Sequence, residues 1–345
     1  MNVVADQLTF GTWSAIVLLA AGLSFLGSTA AMRLARRGGV LAQPGERQSH
    51  RVATPTGGGL GLVFSLAMTS FLIERLLRLP DFWWRDVLPG VIVLAAVGWI
   101  DDRRHVATPL RLAVQLAVSL WLLHSVCIWG PTAGPGLCSL MVLAVVWLMN
   151  LYNFMDGSNG MAGFQGVFAG LVMAGLFAHA GQTSMAAPAL IVAAVCAGFL
   201  PLNFPLARVF MGDAGSVPLG FVIAALAVYG LHSGAFGPAL PLLLMAVFVV
   251  DASLTLAARV IRGERWYTAH NQHVYQRLIV QGWSHSRVLI AYQTINVGLV
   301  LPAVVLAVTY PQHAAEITGL VIIALVGCWY LINRRLGMPA KEQLQ

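Results

Sequence analysis

The chain has 345 residues, of which 58% are hydrophobic and only 10% charged, against roughly 25% charged in a soluble domain. That balance excludes an ordinary soluble globular protein, a disordered chain and a collagen-like repeat, and four cysteines are too few for a disulfide scaffold. Net charge is +7, and since Lys341 is the sole lysine among 20 basic residues, the cationic groups are almost all arginines, whose planar fork suits phosphates and lipid headgroups.

Crossing the hydrocarbon takes about 20 mostly apolar residues. Runs of this kind lie at 12–32, 57–77, 87–100, 110–128, 137–153, 161–180, 185–203, 217–231, 236–257, 287–309 and 314–333. They predict an all-α, polytopic membrane bundle of about eleven transmembrane helices, or ten if one of the short runs, the third or the eighth, does not cross. No internal repeat and no long polar linker divides the chain, so 1–345 reads as a single domain. Residues 1–11 hold Asp6 and no Lys or Arg, while Arg33, Arg36 and Arg37 follow the first run. That order marks a retained anchor with its N-terminus outside rather than a cleaved signal. Loops after odd-numbered runs carry 17 of the 20 basic residues, leaving Arg75, Arg78 and Arg85 on the other face. By the positive-inside rule the odd loops and the C-terminus are expected in the cytoplasm.

Five of those cytoplasmic loops carry dense polar clusters, while the loops on the other face are short and nearly uncharged. The first is R-Q-S-H-R-V-A-T-P-T-G-G-G at 47–59, which contains Arg51; its glycines also fit plain close packing of the second helix. The second is D-D-R-R, where Asp101 and Asp102 meet the partially negative end of a helix, the unfavourable end of its dipole. A solvated helix end with arginine neighbours is one reading. The other is a pair of acids whose repulsion lifts one pKa toward the working range, dividing metal binding from proton abstraction. In the third cluster Asn150, Asn153 and Asp156 recur every three residues and line one face if the fifth helix continues through them. Their oxygens suit Mg²⁺. Asn159 follows in the D-G-S-N-G turn and can both donate and accept hydrogen bonds.

The fourth cluster, F-M-G-D-A-G-S at 210–216, sets Asp213 between Gly212 and Gly215, with Ser216 next, in a backbone that can come close to phosphate or can form an ordinary turn. The fifth, H-N-Q-H-V-Y-Q-R at 270–277, brings His270, His273 and Arg277 together. With no third ligand beside the two histidines, phosphate contact or proton transfer is the better reading than Zn²⁺. Asp251, a carboxylate well inside an apolar run, is expected to face the bundle interior and support the site. Acids, amides, glycines and arginines on one membrane face suit phosphoryl transfer, which needs alignment and charge neutralisation more than covalent help from protein.

These five motifs, in this order from about Arg47 to Trp283, resemble those of the polyprenyl-phosphate N-acetylhexosamine-1-phosphate transferases. The resemblance implies transfer of a sugar 1-phosphate from a UDP-N-acetylhexosamine to undecaprenyl phosphate, with release of UMP and Mg²⁺ as cofactor, for which Mn²⁺ can substitute. It implies a bacterial inner membrane with a periplasmic N-terminus and a cytoplasmic site, no nucleic-acid partner, and it is compatible with a homodimer. By motif position Asp213, Asn153 and Asp156 resemble the metal site, and Asp101, Asp102, Asp156, His270 and His273 the catalytic set, with Asp101 orienting or deprotonating the lipid phosphate. Asn150, Asn153, Asn159, Arg51, Arg277, Gly212 and Ser216 resemble substrate contacts. Two departures stand out. Asn159 replaces the acid that many bacterial members carry, which bears on uracil contact. H-N-Q-H-V-Y-Q-R with G-W-S-H after it is closer to the O-antigen initiating branch than to the phospho-N-acetylmuramoyl-pentapeptide transferase, which stays as the alternative. A secondary transporter is the competing class, but it calls for inverted repeats and ionisable residues at the midplane.

Overall fold

A computed structural model describes residues 10–42, 53–127, 134–265 and 270–337. The expected all-α membrane bundle is what the chain forms. Its long helices are α1 (Phe10–Arg37), α2 (Gly59–Leu77), α3 (Leu88–Asp101), α4 (Thr108–Cys127), α5 (Pro135–Met155), α6 (Met161–His179), α7 (Thr183–Asn203) and α8 (Asp213–His232). Shorter α9 (Ala239–Leu244), α10 (Ala246–Ile261), α11 (Val274–Val280), α12 (His285–Ile295) and α13 (Leu301–Thr309) follow, and α14 (Ala314–Leu336) ends the described chain. Between α1 and α2 the two-residue strands β1 (Leu41–Ala42) and β2 (Thr54–Pro55) pair antiparallel, Leu41 opposite Pro55.

Each of the eleven apolar runs falls on helix, and nine helical segments among the described residues are long and apolar enough to cross a membrane. The short third run is lengthened by a π-helical turn, Trp83–Val87, giving a 19-residue segment from Trp83 to Asp101. The short eighth run begins earlier than its hydropathy suggests, at Asp213, because an acid in the first turn favours the positive end of the helix dipole. The ninth run departs from expectation: it breaks at Met245 into a 6-residue α9 and a 16-residue α10, and neither reaches the ~20 residues of a full span.

The helices gather into two compact units, the first through Pro238 and the second from Ala239 onward. In the first, α6 packs on α7, α1 on α2 and α7, and both α3 and α5 on α8. α8 is apolar on every side, which suits a helix enclosed by protein, and nearly all of its residues are buried. In the second unit α14 packs with α9, α10 and α13.

One close approach sets the inner end of the first unit. A Cβ on Gly98 of α3 would lie 2.4 Å from both the carbonyl carbon and the oxygen of Asp213, so only a hydrogen at that position lets α3 and the start of α8 touch. Gly98→Ala is therefore expected to cost about 1–3 kcal/mol of stability by overpacking. Gly175→Ala on α6, where no atom lies within 4 Å of the added Cβ, is expected to be neutral or mildly stabilising. Thermal unfolding of the two variants in detergent checks the contrast, and equal midpoints would contradict the packing.

Candidate active site

The first unit brings the four acids singled out in the sequence to one place, and the backbone does most of the positioning. Phe210 donates its N–H to the Pro55 carbonyl at 2.8 Å, and Gly58 and Gly59 donate theirs to the Phe210 and Met211 carbonyls at 2.9 and 3.0 Å. The glycine run before α2 and the F-M-G-D segment before α8 are thereby laced together. Gly212 then turns the chain with φ +71°, and its missing Cβ leaves room for Asp102, whose Oδ2 would sit 2.4 Å from one.

Asp102 caps α8 from the end of another helix. Its Oδ1 accepts the Asp213 N–H at 3.1 Å and its Oδ2 the Ala214 N–H at 3.3 Å. A carboxylate at the unfavourable end of α3 is thus placed at the favourable end of α8. Burial, followed by the nearby charge of Asp213, still pushes the Asp102 carboxyl up to about 7. Asp101 points differently: its Oδ1 accepts the Val106 N–H at 2.7 Å, and its Oδ2 meets Arg111 at 2.5 Å. The same Arg111 nitrogen lies 3.1 Å from Asp213 Oδ2, so one guanidinium joins two acids that are 112 residues apart in the chain.

α5 supplies the amides. It runs through Asn150 and Asn153 and stops at Met155, so Asp156 lies just past its end. Asn153 donates to Asp213 Oδ1 at 2.7 Å and to Ser216 Oγ at 3.0 Å, while Asn150 donates to the Gln115 side chain on α4 at 2.6 Å. Asp156 is held well above the usual carboxylate range by burial and by the charges of Asp213 and Asp102. Asn159 donates to the Pro205 carbonyl at 3.0 Å, and the Gly160 N–H is taken by Asn203 at 2.7 Å. An apolar cavity of ≈ 420 Å³ between α1, α2 and the end of α3 reaches Asp102, with Thr56, Phe64, Trp99 and Arg103 in its walls.

Arg111, Gln115 and Asn203 are the parts of this arrangement that the sequence reading did not select. Arg111 had a signal: it stands in the first turn of α4, where a cation meets the positive end of the dipole and needs an acid partner. Gln115 and Asn203 had none, since a single amide in an apolar run has many uses. Arg51 lies outside the described residues.

The second unit holds the H-x-x-H segment. His273 is the N-cap of α11, its ring 4.8 Å from that of His270 and stacked on Tyr275 at 5.9 Å. Burial comes first in pushing His270 down to about 3 and His273 to about 4; mutual repulsion with His273 and the Arg259 charge follow for His270, and the Arg259 charge for His273. Both rings are neutral at neutral pH. Arg277 donates to the Asn333 side chain and to the Gly337 carbonyl at the end of α14.

A divalent cation suits the chemistry of the first unit's site. Four carboxylates gather there, and among the described residues Arg111 is the cation that ion-pairs with them. No three of the described His, Cys, Asp or Glu side chains form a ready ligand set, but Mg²⁺ usually takes one or two carboxylates and completes its shell with water and substrate phosphate.

The family model described as glycosyl transferase family 4 matches residues 84–231, which spans all four acids. The chain is 30% identical to the decaprenyl-phosphate N-acetylglucosaminephosphotransferase of Mycobacterium tuberculosis (strain H37Rv), over 92% of this chain and 88% of that one. It is 25% identical to the probable undecaprenyl-phosphate N-acetylglucosaminyl 1-phosphate transferase of Bacillus subtilis (strain 168), over 84% and 87%. Against the undecaprenyl-phosphate alpha-N-acetylglucosaminyl 1-phosphate transferase of Escherichia coli (strain K12) the identity is 23%, over 86% and 83%.

The two histidines give the fold a pH dependence with a definite sign. Their folded pKa values lie below the ordinary 6.5, so between about pH 6.5 and 4 the unfolded chain binds more protons than the folded one. Their contribution is complete above pH 6.5 and is lost as pH falls. The thermal midpoint of the purified protein is expected to drop from pH 7 to pH 5, and to drop less in a His270→Gln, His273→Gln double variant. An identical drop in both would refute the assignment.

Proposed function

The chain belongs to glycosyl transferase family 4, and on that premise we propose that it moves an N-acetylhexosamine 1-phosphate from a UDP-sugar to undecaprenyl phosphate, releasing UMP and leaving a lipid diphosphate-linked sugar. As an enzyme it is a phosphotransferase of the kind that places a sugar phosphate on polyprenyl phosphate. The observation that carries the proposal is the meeting of Asp101, Asp102, Asp156 and Asp213 at the ends of apolar helices, with Asn153 and Arg111 among them. The relatives' names favour N-acetylglucosamine as the sugar. We assign the product to the start of a cell-surface polysaccharide such as O-antigen, made on the cytoplasmic face of the inner membrane.

In this reading an oxygen of the lipid phosphate attacks the sugar-bearing phosphorus of the donor, and the bond to the UMP oxygen breaks. Asp102, with its carboxyl near 7, is matched to take a proton from a lipid phosphate whose second pKa is about 6, and it replaces Asp101 in that role because both Asp101 oxygens are engaged, by the Val106 N–H and by Arg111. Asp101 and Asp213 are held in register by Arg111, which stands where developing phosphate charge needs a cation. Asp213 and Asp156 are the residues that would hold Mg²⁺, with the Asn153 amide orienting Asp213. When bound, Mg²⁺ offsets the diphosphate charge and the excess of acids. The apolar cavity beside Asp102 gives a lipid acceptor a path from hydrocarbon depth to the acids. His270, His273 and Arg277 enter the proposal as hydrogen-bond donors to the sugar phosphate or diphosphate.

The test is to incubate membranes bearing the protein with UDP-N-acetylglucosamine, undecaprenyl phosphate and Mg²⁺ and to follow UMP. Release is expected to require all three, and to fall about 10²-fold or more in Asp102→Asn and in Asp213→Ala. Release that persists unchanged in both variants would sink the proposal. Arg111→Met is expected to lose about tenfold more than Arg111→Lys, which keeps a cation but not the fork that reaches two acids.

A further inference from the structure

Asp251 is a carboxylate on α10, 3% exposed, which the reaction as described does not use. A buried carboxylate is costly unless it is well supplied with donors. Here the donors come from three places. Its Oδ1 accepts the Val274 N–H at 2.9 Å and the Thr255 hydroxyl at 3.3 Å, and its Oδ2 accepts the Tyr292 hydroxyl at 2.6 Å. Val274 is the first residue of α11 and follows His273 directly.

The residue on the other side of His273 is anchored as well. Gln272 donates to Glu264 Oε2 at 2.8 Å, and Glu264 is itself gripped by Arg262 at 2.7 Å and Arg259 at 3.2 Å. His273 therefore stands between two neighbours, each tied to a carboxylate, and its own N–H is taken by Gln276 at 3.2 Å. A leucine at 251 would suit an apolar helix better, yet it would leave the Val274 N–H and the Tyr292 hydroxyl without their acceptor. An asparagine offers a single acceptor oxygen for three donors.

We infer that Asp251, oriented by Tyr292, is a positioning residue for the H-x-x-H segment: by holding the Val274 N–H it sets where His273 presents its ring to the sugar phosphate. This rests on the transferase reading for its consequence in catalysis, and on geometry alone for the grip on the segment.

The experiment uses the full-length protein in nanodiscs with Asp251→Asn, the milder Tyr292→Phe, His273→Ala, and the Asp251→Asn, His273→Ala double variant. Hydrogen exchange of peptides covering 270–280 is expected to speed up about tenfold or more in Asp251→Asn and several-fold in Tyr292→Phe, while peptides from α8 do not change. UMP release is expected to fall in Asp251→Asn chiefly through kcat. Adding Asp251→Asn to His273→Ala should cost no more than about threefold further, because the residue being positioned is already gone. Losses that multiply in the double variant would overturn the inference, as would unchanged exchange in 270–280. Should the wild-type protein release no UMP, the transferase reading fails while the exchange measurement still decides whether Asp251 holds the segment.

Discussion

The contact on which the candidate site depends is Asp102 against the first two N–H groups of α8. Each helix end on its own is a problem. α3 finishes on two carboxylates at the negative end of its dipole, and α8 begins with N–H groups that have no partner within the helix. Bringing the ends together solves both, but only if the backbones can approach, and Gly98 and Gly212 are the positions where a Cβ would prevent it. Once α8 starts there, Asp213 has no choice of neighbours. It falls beside Asn153 on one side and Arg111 on the other, and Arg111 draws Asp101 into the same group. Four distant segments are thereby organised by one acceptor pair.

The second unit uses the same physics. Where irregular backbone is buried against helices it must still find partners, because the water that would otherwise satisfy it is excluded. Asp251 and Glu264 answer that requirement for the H-x-x-H segment, one taking a backbone N–H and the other a side-chain amide. In both units a buried or half-buried acid is first a structural acceptor and only then a chemical group. That order explains why a membrane protein with only 13 acids among 345 residues places so many of them at helix ends.

Fold class was legible because it follows from composition and run length alone. Each apolar run became helix, and the chain's low charge admits no other solvent. Boundaries were less legible where the rule depends on a single residue. Hydropathy begins the eighth helix at 217, yet the helix starts at Asp213 because an N-terminal acid and Gly212 set its first turn. The third helix is extended by a π-turn that no periodicity announces. Within the site, the acids were legible as motifs, but their meeting was not, since Asp101 and Asp213 share no local pattern. Arg111 escaped because it was counted as one of many cytoplasmic arginines, when its place in the first turn of a helix already required a partner.

Asp102 and Asp156 carry raised carboxyl pKa values, and that says something about what the site is for. Burial disfavours both charges, and the nearby charge of Asp213 adds to the cost of each, so placing these acids together works against the fold. Arg111 offsets part of this, yet one guanidinium cannot neutralise four acids. A helix end serving only structure needs one acceptor, as Asp102 provides for α8; it does not need Asp156 beside it. In the proposed reaction a cation arriving with the donor phosphates would favour the charged form of these carboxyls and draw off their protons, so the raised values suit a ligand-binding cluster better than a purely structural one.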